Sequence, residues 1–504
     1  MAAAADAPVR QRAPRATSAV PLNAARLLGV ELRRNTMPWI LPLIAALFWF
    51  DSYRPSTITP PLWALRTFWN MGQGHTILDF APFVAGVAAW MGSRDGRRGL
   101  ADLVTTTARP RWAAQLAVWA ATAIWAVAAY LVFVGVMFAV YAHQGVAGTP
   151  PWWYVAVGAT AVTAFSAVGF AIGACWPSRF AAPAAAFIGF LAMFLSFQIG
   201  FSHAEGWALI LPTNSHGSFD GSAQADAGIF YPWLPDLPIA RIMFLAGVAV
   251  AALGLTGLPA RAGGPWLRRA AAVVTLAGAA LAGTAVGLAS TARQAAEGVV
   301  IPALHDAAND APITYTPACG RAAGVPVCVN PAYGRWLPDV TAALAPMLTE
   351  VAGLPGVPVR ATQVAAAYPS GGSGPPQPIT VDDHPAVLRM QIGLIIMPGP
   401  YGFIDQVRLL FAHAFVGAGA GSGSAVQQAV QAALLREAGI PFAAQPGLLA
   451  NAGNLPGPAP GRATGPVYAA AQRLASLPAA ARHAWLAAHL AELRAGQLTL
   501  ADLP

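Results

Sequence analysis

The chain has 504 residues, of which 56% are hydrophobic and 10% charged, with a net charge of +8. That balance excludes an ordinary soluble globular protein and fits a polytopic membrane protein. All 29 basic residues are arginine, so Walker A, Schiff-base and kinase-type lysine chemistry are excluded, and the arginines punctuate apolar runs instead of forming the single basic face of a nucleic-acid reader.

Residues 1–23 read as a disordered cytosolic tail. They hold arginines but no apolar core of signal-peptide length, so no cleaved leader is expected. Ala24 to Arg34 reads as an interfacial helix, with Leu27, Leu28, Val30 and Leu32 against headgroups and Glu31, Arg33 and Arg34 toward water.

A bilayer core of about 30 Å needs about twenty helical residues. Seven segments qualify: Thr36 to Tyr53, His75 to Gly92, Ala114 to Ala142, Trp153 to Trp176, Phe180 to Phe201, Pro238 to Leu258 and Ala270 to Ala289. The first two have short apolar cores and contain proline; the third is long enough to tilt or to project. Arg10, Arg12, Arg15, Arg26, Arg33, Arg34, Arg94, Arg97, Arg98, Arg109, Arg111, Arg179, Arg261, Arg268 and Arg269 fall on one side. Only Arg54, Arg66 and Arg241 fall on the other. Fifteen against three predicts a cytosolic N-terminus in the cell membrane, and an odd number of spans then places everything after Ala289 outside.

Within the second span, His75 and Asp79 stand one turn apart, a spacing that permits an intramembrane polar pair. Near the headgroups this reads as a satisfied pair or as a relay. Thr160, Thr163 and Ser166 read as helix-packing residues. So little charge in the later spans suits a hydrophobic or amphipathic cargo better than a small ion.

Between the second and third spans lies SRDGRRGLADLVTTTARPRW, with five arginines around a short amphipathic helix from Leu100 to Thr107. An interfacial helix, two spans, then a charged cytosolic helix with Asp95, Gly99, Asp102-Leu103-Val104 and Arg109-Pro110-Arg111 resembles the membrane subunits of ABC-2-type transporters over roughly the first 260 residues. The resemblance implies a coupling helix that docks on a separate cytosolic ABC ATPase. Its residues would be Arg94, Asp95, Arg97, Arg98, Leu100, Asp102, Leu103, Val104, Arg109 and Arg111. It also implies a homo- or heterodimer with a second permease, no cofactor in this chain, and ATP and magnesium held by the ATPase. Leu100, Leu103 and Val104 share one helical face, which suits docking; arginines acting only as anchors on membrane lipid are the alternative.

From Ser202 to Leu237 the same resemblance implies an extracytoplasmic connection, with Glu205 to Pro212 dipping into the membrane and Phe230 to Leu237 as an aromatic belt. The chain departs from the family in its seventh span and in its large C-terminal region. Residues 24–291 thus form the permease-like region and 292–504 an extracytoplasmic mixed α/β domain.

In that domain Cys319 and Cys328 flank an eight-residue segment and, at an oxidising address, are expected as a disulfide, with two free or metal-bound thiols as the alternative. Helices are predicted from a cap at Asp339 to about Val351, from Asp405 to Val416, Ser424 to Ala438, Val467 to Leu474 and Ala479 to Arg494. Val387 to Met397 reads as a buried strand. Leu486, Leu490 and Leu493 should close a core.

No catalytic set is expected. His413-Ala414-Phe415-Val416-Gly417 lacks the glutamate and second histidine of a zinc-peptidase helix. His483 and His489 do not share a face, Asp382, Asp383 and His384 read as a turn, and the Gly417 to Gly423 run comes after a helix. No metal ligand set is expected either. The readings in order are an ABC-2-like export permease subunit moving a hydrophobic or amphipathic cargo, a membrane-anchored non-catalytic interaction protein of the cell envelope, and a membrane-tethered degenerate hydrolase.

Overall fold

The computed structural model describes residues 24–53, 62–63, 75–98, 111–202, 206–212, 227–258, 264–295, 297–365, 379–383, 386–392, 403–417, 423–446 and 465–504. The N-terminal helix α1 (Ala24–Arg34) is followed by α2 (Met37–Tyr53), α3 (His75–Gly92) and the single turn α4 (Arg94–Arg97). Five longer helices come next: α5 (Arg111–His143), α6 (Trp152–Cys175), α7 (Ala181–Ser202), α8 (Asp236–Gly257) and α9 (Gly264–Ala289). Within α5 to α9, the stretches Trp112–His143, Trp152–Cys175, Ala181–Ile199, Asp236–Gly257 and Pro265–Ala289 are long and apolar enough to cross a membrane. Met37–Phe50 and Phe80–Gly92 are shorter apolar helices, and Pro42 and Pro82 interrupt the backbone ladders of α2 and α3. The 33 residues of α5 extend about 50 Å at helical rise, well beyond a bilayer core.

Large apolar side chains point outward from this bundle. Trp39, Phe187, Trp266 and Leu276 are 85%, 64%, 73% and 68% exposed, an arrangement stable against lipid and costly against water. Inside, small residues let backbones approach. A Cβ on Gly169 or Gly173 of α6 would overlap the backbone of Ala85 or Ala89 on α3. Gly247 and Gly254 of α8 meet Gly278 and Thr275 of α9 in the same way. This is the packing of membrane helices, in which close van der Waals contact replaces a hydrophobic drive. Polar groups are settled locally: Thr160 and Thr163 donate to carbonyls one turn back, and Ser166 accepts from the Trp119 indole at 3.0 Å.

The helix ends sort into two groups. At one end, the Trp112 indole donates to the Leu253 carbonyl and Pro177 abuts Gly96. At the other, Leu62 bridges Ala147, the Trp233 indole donates to the Thr149 carbonyl, and Arg241 binds Leu209. Arg241 stands in the first turns of α8, at this second end, 1% exposed, with Nε and Nη2 both donating to the Leu209 carbonyl at 2.9 and 2.7 Å. Leu209 belongs to a short 3₁₀ turn, Gly206–Ile210, whose Ala208, Leu209 and Ile210 are buried against the bundle.

A hairpin of β1 (Arg293–Ala295) and β2 (Gly298–Val300) leaves α9 at that second end. Beyond it, β3 (Ala318–Ala322), β4 (Val325–Val329), β5 (Arg360–Gln363), β6 (Ile379–Asp383) and β7 (Ala386–Met390) form one mixed sheet, ordered β3-β4-β5-β7-β6. The inner pairs β4/β5 and β5/β7 are parallel; β3/β4 and β6/β7 at the edges are antiparallel. Helices α10 (Leu337–Glu350), α11 (Phe403–Phe415), α12 (Ala425–Glu437), α13 (Pro466–Ser476) and α14 (Ala479–Arg494) complete the domain. Val327, Val329, Leu344, Leu348, Leu388, Phe411, Phe415, Val430, Leu490 and Leu493 form its core, and Leu62, Ile229 and Phe230 from the bundle's second end extend it.

Two local expectations are corrected. Asp339 lies in the first turn of α10 and does not cap it; Trp336 precedes the helix without a side-chain cap, and Asn330 caps the 3₁₀ helix Pro331–Trp336 that leads into it. The strand expected over Val387 to Met397 is observed as Ala386–Met390, and it is buried on one face only: Leu388 and Met390 point inward while Arg389 is exposed. Residues 393–397 lie outside the described residues. Ser424, by contrast, is the cap of α12, in a reciprocal pair with Gln427, and the Gln427 amide donates onward to the Val416 and Leu493 carbonyls.

Candidate functional site

The turn after α3 carries the residues expected to couple to a partner, and its described portion ends at Arg98. Ser93 is wholly buried, keeps a helical backbone where α3 ends, and donates to the Trp90 carbonyl. Arg97 then folds back: Nε donates to Ser93 Oγ at 3.0 Å, Nη2 to the Trp90 carbonyl at 2.9 Å, and the guanidinium stacks on the Trp90 ring at 3.4 Å. Such stacking on indole is the stronger form of cation–π contact. Arg97 is thereby committed to holding the turn, while Arg98 stays exposed.

Arg94 reaches the other way. Its Nη1 and Nη2 donate to Glu31 Oε2 and Oε1 at 2.9 and 3.2 Å, a bidentate fork onto the N-terminal helix α1. Both side chains are mostly shielded from water, and the Glu31 hydrogen bond, outweighing the cost of burial, raises the Arg94 guanidinium above its ordinary value. Asp95 adds a longer contact at 3.5 Å. Glu31 therefore does not face water as the helical wheel predicts. It is the sole acid of α1, and it is buried because a guanidinium from the next turn meets it. Arg33 and Arg34 remain exposed as expected.

From α1 the connection continues into α5. The Leu32 carbonyl accepts from the Trp125 indole at 3.0 Å, and Asn35 Nδ2 donates to Thr122 Oγ1 at 2.9 Å while its Oδ1 caps the Met37 amide at 2.8 Å. Asn35 and Thr122 are buried, so these bonds act in a low-dielectric setting where each partner left alone would cost about 1 to 3 kcal/mol. The turn at Arg94, the helix α1 and the middle of α5 thus form one hydrogen-bonded unit.

Of the expected docking residues, Arg94, Asp95, Arg97 and Arg98 are placed together. Leu100, Asp102, Leu103, Val104 and Arg109 lie outside the described residues; Arg111 opens α5, with its side chain outside them. His75 and Asp79 occupy the first turns of α3, and their side chains also lie outside them. Cys319 and Cys328 form a disulfide between directly opposed positions of β3 and β4. His413 is buried in α11 and joins no grouping of three or more potential metal ligands among the described residues. His489 stacks on Trp485 at 5.0 Å, and Leu486, Leu490 and Leu493 close the core.

Sequence reasoning missed Glu31, Asn35 and Trp90. A lone acid in a basic amphipathic helix was the available signal for Glu31; for Asn35 and Trp90 the sequence offers none. Compared with known proteins, the chain matches no family model, no curated protein and no solved structure.

Proposed function

We propose that this chain is the permease subunit of an ABC-2-like export system, energised by a separate cytosolic ATPase that binds ATP and magnesium. The observation that carries the reading is the Glu31–Arg94 fork. A partner seated on the segment after Arg98 would pull on Arg94. Through Glu31 that displacement reaches α1, and through Leu32 and Asn35 it reaches α5. A mere topogenic anchor needs exposed positive charge and no such chain of bonds.

In this reading the end of the bundle bearing α1 and the turn at Arg94 faces the cytosol, the seven apolar helices all cross the membrane, and the C-terminal domain stands outside. Two such subunits form one pathway. The outward apolar surface and the scarcity of charge inside the bundle suit a hydrophobic or amphipathic cargo. The disulfide at Cys319–Cys328 suits an oxidising compartment.

Co-purification from native membranes tests the partnership. An ATP-binding chain should accompany the wild-type protein, and its recovery should fall at least tenfold when Leu100 and Leu103 are both replaced by aspartate. Unchanged recovery with residues 99–108 scrambled would sink the reading and leave a membrane-anchored interaction protein. Topology is tested by labelling Cys319 and Cys328 with an impermeant maleimide after reduction. Labelling from the outer face is expected; labelling only from the cytosolic face would overturn the orientation.

A further inference from the structure

Where α9 hands over to the C-terminal domain, three side chains with metal-ligating atoms converge. Glu297 lies in the turn of the β1–β2 hairpin, His305 comes after β2, and Asp310 ends the next 3₁₀ turn, Ala307–Asp310. Their ligand atoms all lie within 4.8 Å of one another. Tetrahedral zinc sets its ligand atoms about 3.4 Å apart, so an inward turn of the Glu297 side chain and a slight outward turn of Asp310 close the set.

A fourth residue, from a different element, sets the orientation of the histidine. Asp236, in the first turn of α8, is wholly buried and points its carboxylate at the ring: Oδ2 is 3.1 Å from His305 Nδ1 and also accepts from the Ile301 amide at 3.0 Å. Its other oxygen, Oδ1, is buried without a hydrogen-bond partner among the described residues. A carboxylate on Nδ1 makes that nitrogen the proton donor, which leaves the lone pair on Nε2. Nε2 in turn sits 2.8 Å from Asp310 Oδ1. A lone pair facing a carboxylate at that distance is repulsive unless a cation neutralises the contact. The cation is either a second proton on the ring or a metal ion.

Three carboxylates, Asp236, Glu297 and Asp310, gather around one imidazole, and the convergent Glu297, His305 and Asp310 atoms form a mixed nitrogen and oxygen donor set of the kind that holds zinc. We infer that Glu297, His305 and Asp310 bind a divalent cation of the zinc class, with Asp236 orienting His305 from behind. One imidazole selects against magnesium and calcium, which prefer all-oxygen sets, and three protein ligands leave a coordination position open. The site departs from the expectation that the chain holds no metal set, because its ligands follow no spacing motif.

Its place gives it a consequence. The ion ties the segment 297–310 to the first turn of α8 through the Asp236–His305 contact, at the joint between the helical bundle and the C-terminal domain. The inference is independent of the export reading.

The test is equilibrium dialysis of the full-length protein in detergent against zinc chloride. One zinc per chain at micromolar or lower concentration is expected, with X-ray absorption showing nitrogen and oxygen neighbours and no sulfur. Glu297→Gln, a partly exposed change that leaves the fold intact, and His305→Gln should each weaken binding at least tenfold, and Asp236→Asn about 10- to 100-fold. Zinc should also slow amide exchange over residues 293–310 in the wild type and not in Glu297→Gln. Equal zinc affinity in wild type and Glu297→Gln, a sulfur shell, or equal competition by magnesium would overturn the assignment. Absence of binding at millimolar zinc would also overturn it and identify His305 as a doubly paired imidazolium.

Discussion

The helical bundle and the C-terminal domain solve packing in opposite senses. In the bundle, Gly169, Gly173, Gly247 and Gly278 face neighbouring helices while Phe187, Trp266 and Leu276 face outward. In the domain, Phe411, Phe415, Leu490 and Leu493 turn inward, and Gln427, a polar residue buried among them, is bonded between two helix ends. One chain therefore contains two cores built for two solvents. A hydrophobic drive expels large side chains from water in the domain; in lipid that drive vanishes and close backbone contact takes its place.

Breaking the contrast should cost most where backbones touch. Gly169→Val or Gly173→Val places carbon into the α3 backbone and should abolish the monodisperse detergent-solubilised species on size exclusion. Gly135→Ala, where nothing lies within 4 Å, should be neutral or stabilising by up to about 1 kcal/mol. In the domain the counterpart is ionic. Arg482 is nearly buried, with Nε 2.5 Å from Glu350 and Nη2 3.3 Å from Glu437. Arg482→Ala strands Glu350 and should destabilise the domain by about 3 to 5 kcal/mol in denaturant unfolding.

Smaller effects sharpen the same comparison. Replacing Cys319 and Cys328 by alanine should lower domain stability by about 2 to 3 kcal/mol, as expected for so short a loop, and leave bundle helicity unchanged by circular dichroism. Glu31→Gln loosens the fork at the other end of the molecule. It should cost about 1 to 2 kcal/mol and raise amide exchange in α1 without altering the domain. The smallest effect is a pH response at the C-terminus. Hydrogen bonds from the Thr499 backbone and side chain hold the Asp502 carboxyl below its ordinary value of 3.8. That contribution is present above about pH 4 and is lost as the pH falls through the lowered value. Protection of the amides of residues 497–504, taken relative to their intrinsic exchange rates at each pH, should fall on acidification, and Thr499→Val should reduce that fall.

The bundle was the more legible half in sequence. Expected and observed ends of α6 to α8 agree within two residues because an apolar run has only one way to satisfy its backbone in lipid. The interfacial helix Ala24–Arg34 and the last helix Ala479–Arg494 match residue for residue. What periodicity cannot see is the neighbour. Glu31 looked solvent-facing because nothing in a helical wheel announces Arg94, 63 residues later. Asp339 looked like a cap because the preceding 3₁₀ turn, Pro331–Trp336, leaves no periodic trace. The Glu297, His305 and Asp310 grouping depends on a hairpin turn, a 3₁₀ turn and a buried carboxylate more than sixty residues upstream, none of which forms a motif.

The proposed seating of a cytosolic ATPase on the arginine-rich turn is tested most directly by photocrosslinking in cells. A benzophenone amino acid at position 103 of the full-length chain should give an adduct with a nucleotide-binding protein, and Glu31→Gln should lower its yield. Adducts to lipid alone from position 103, with none to protein, would contradict the account.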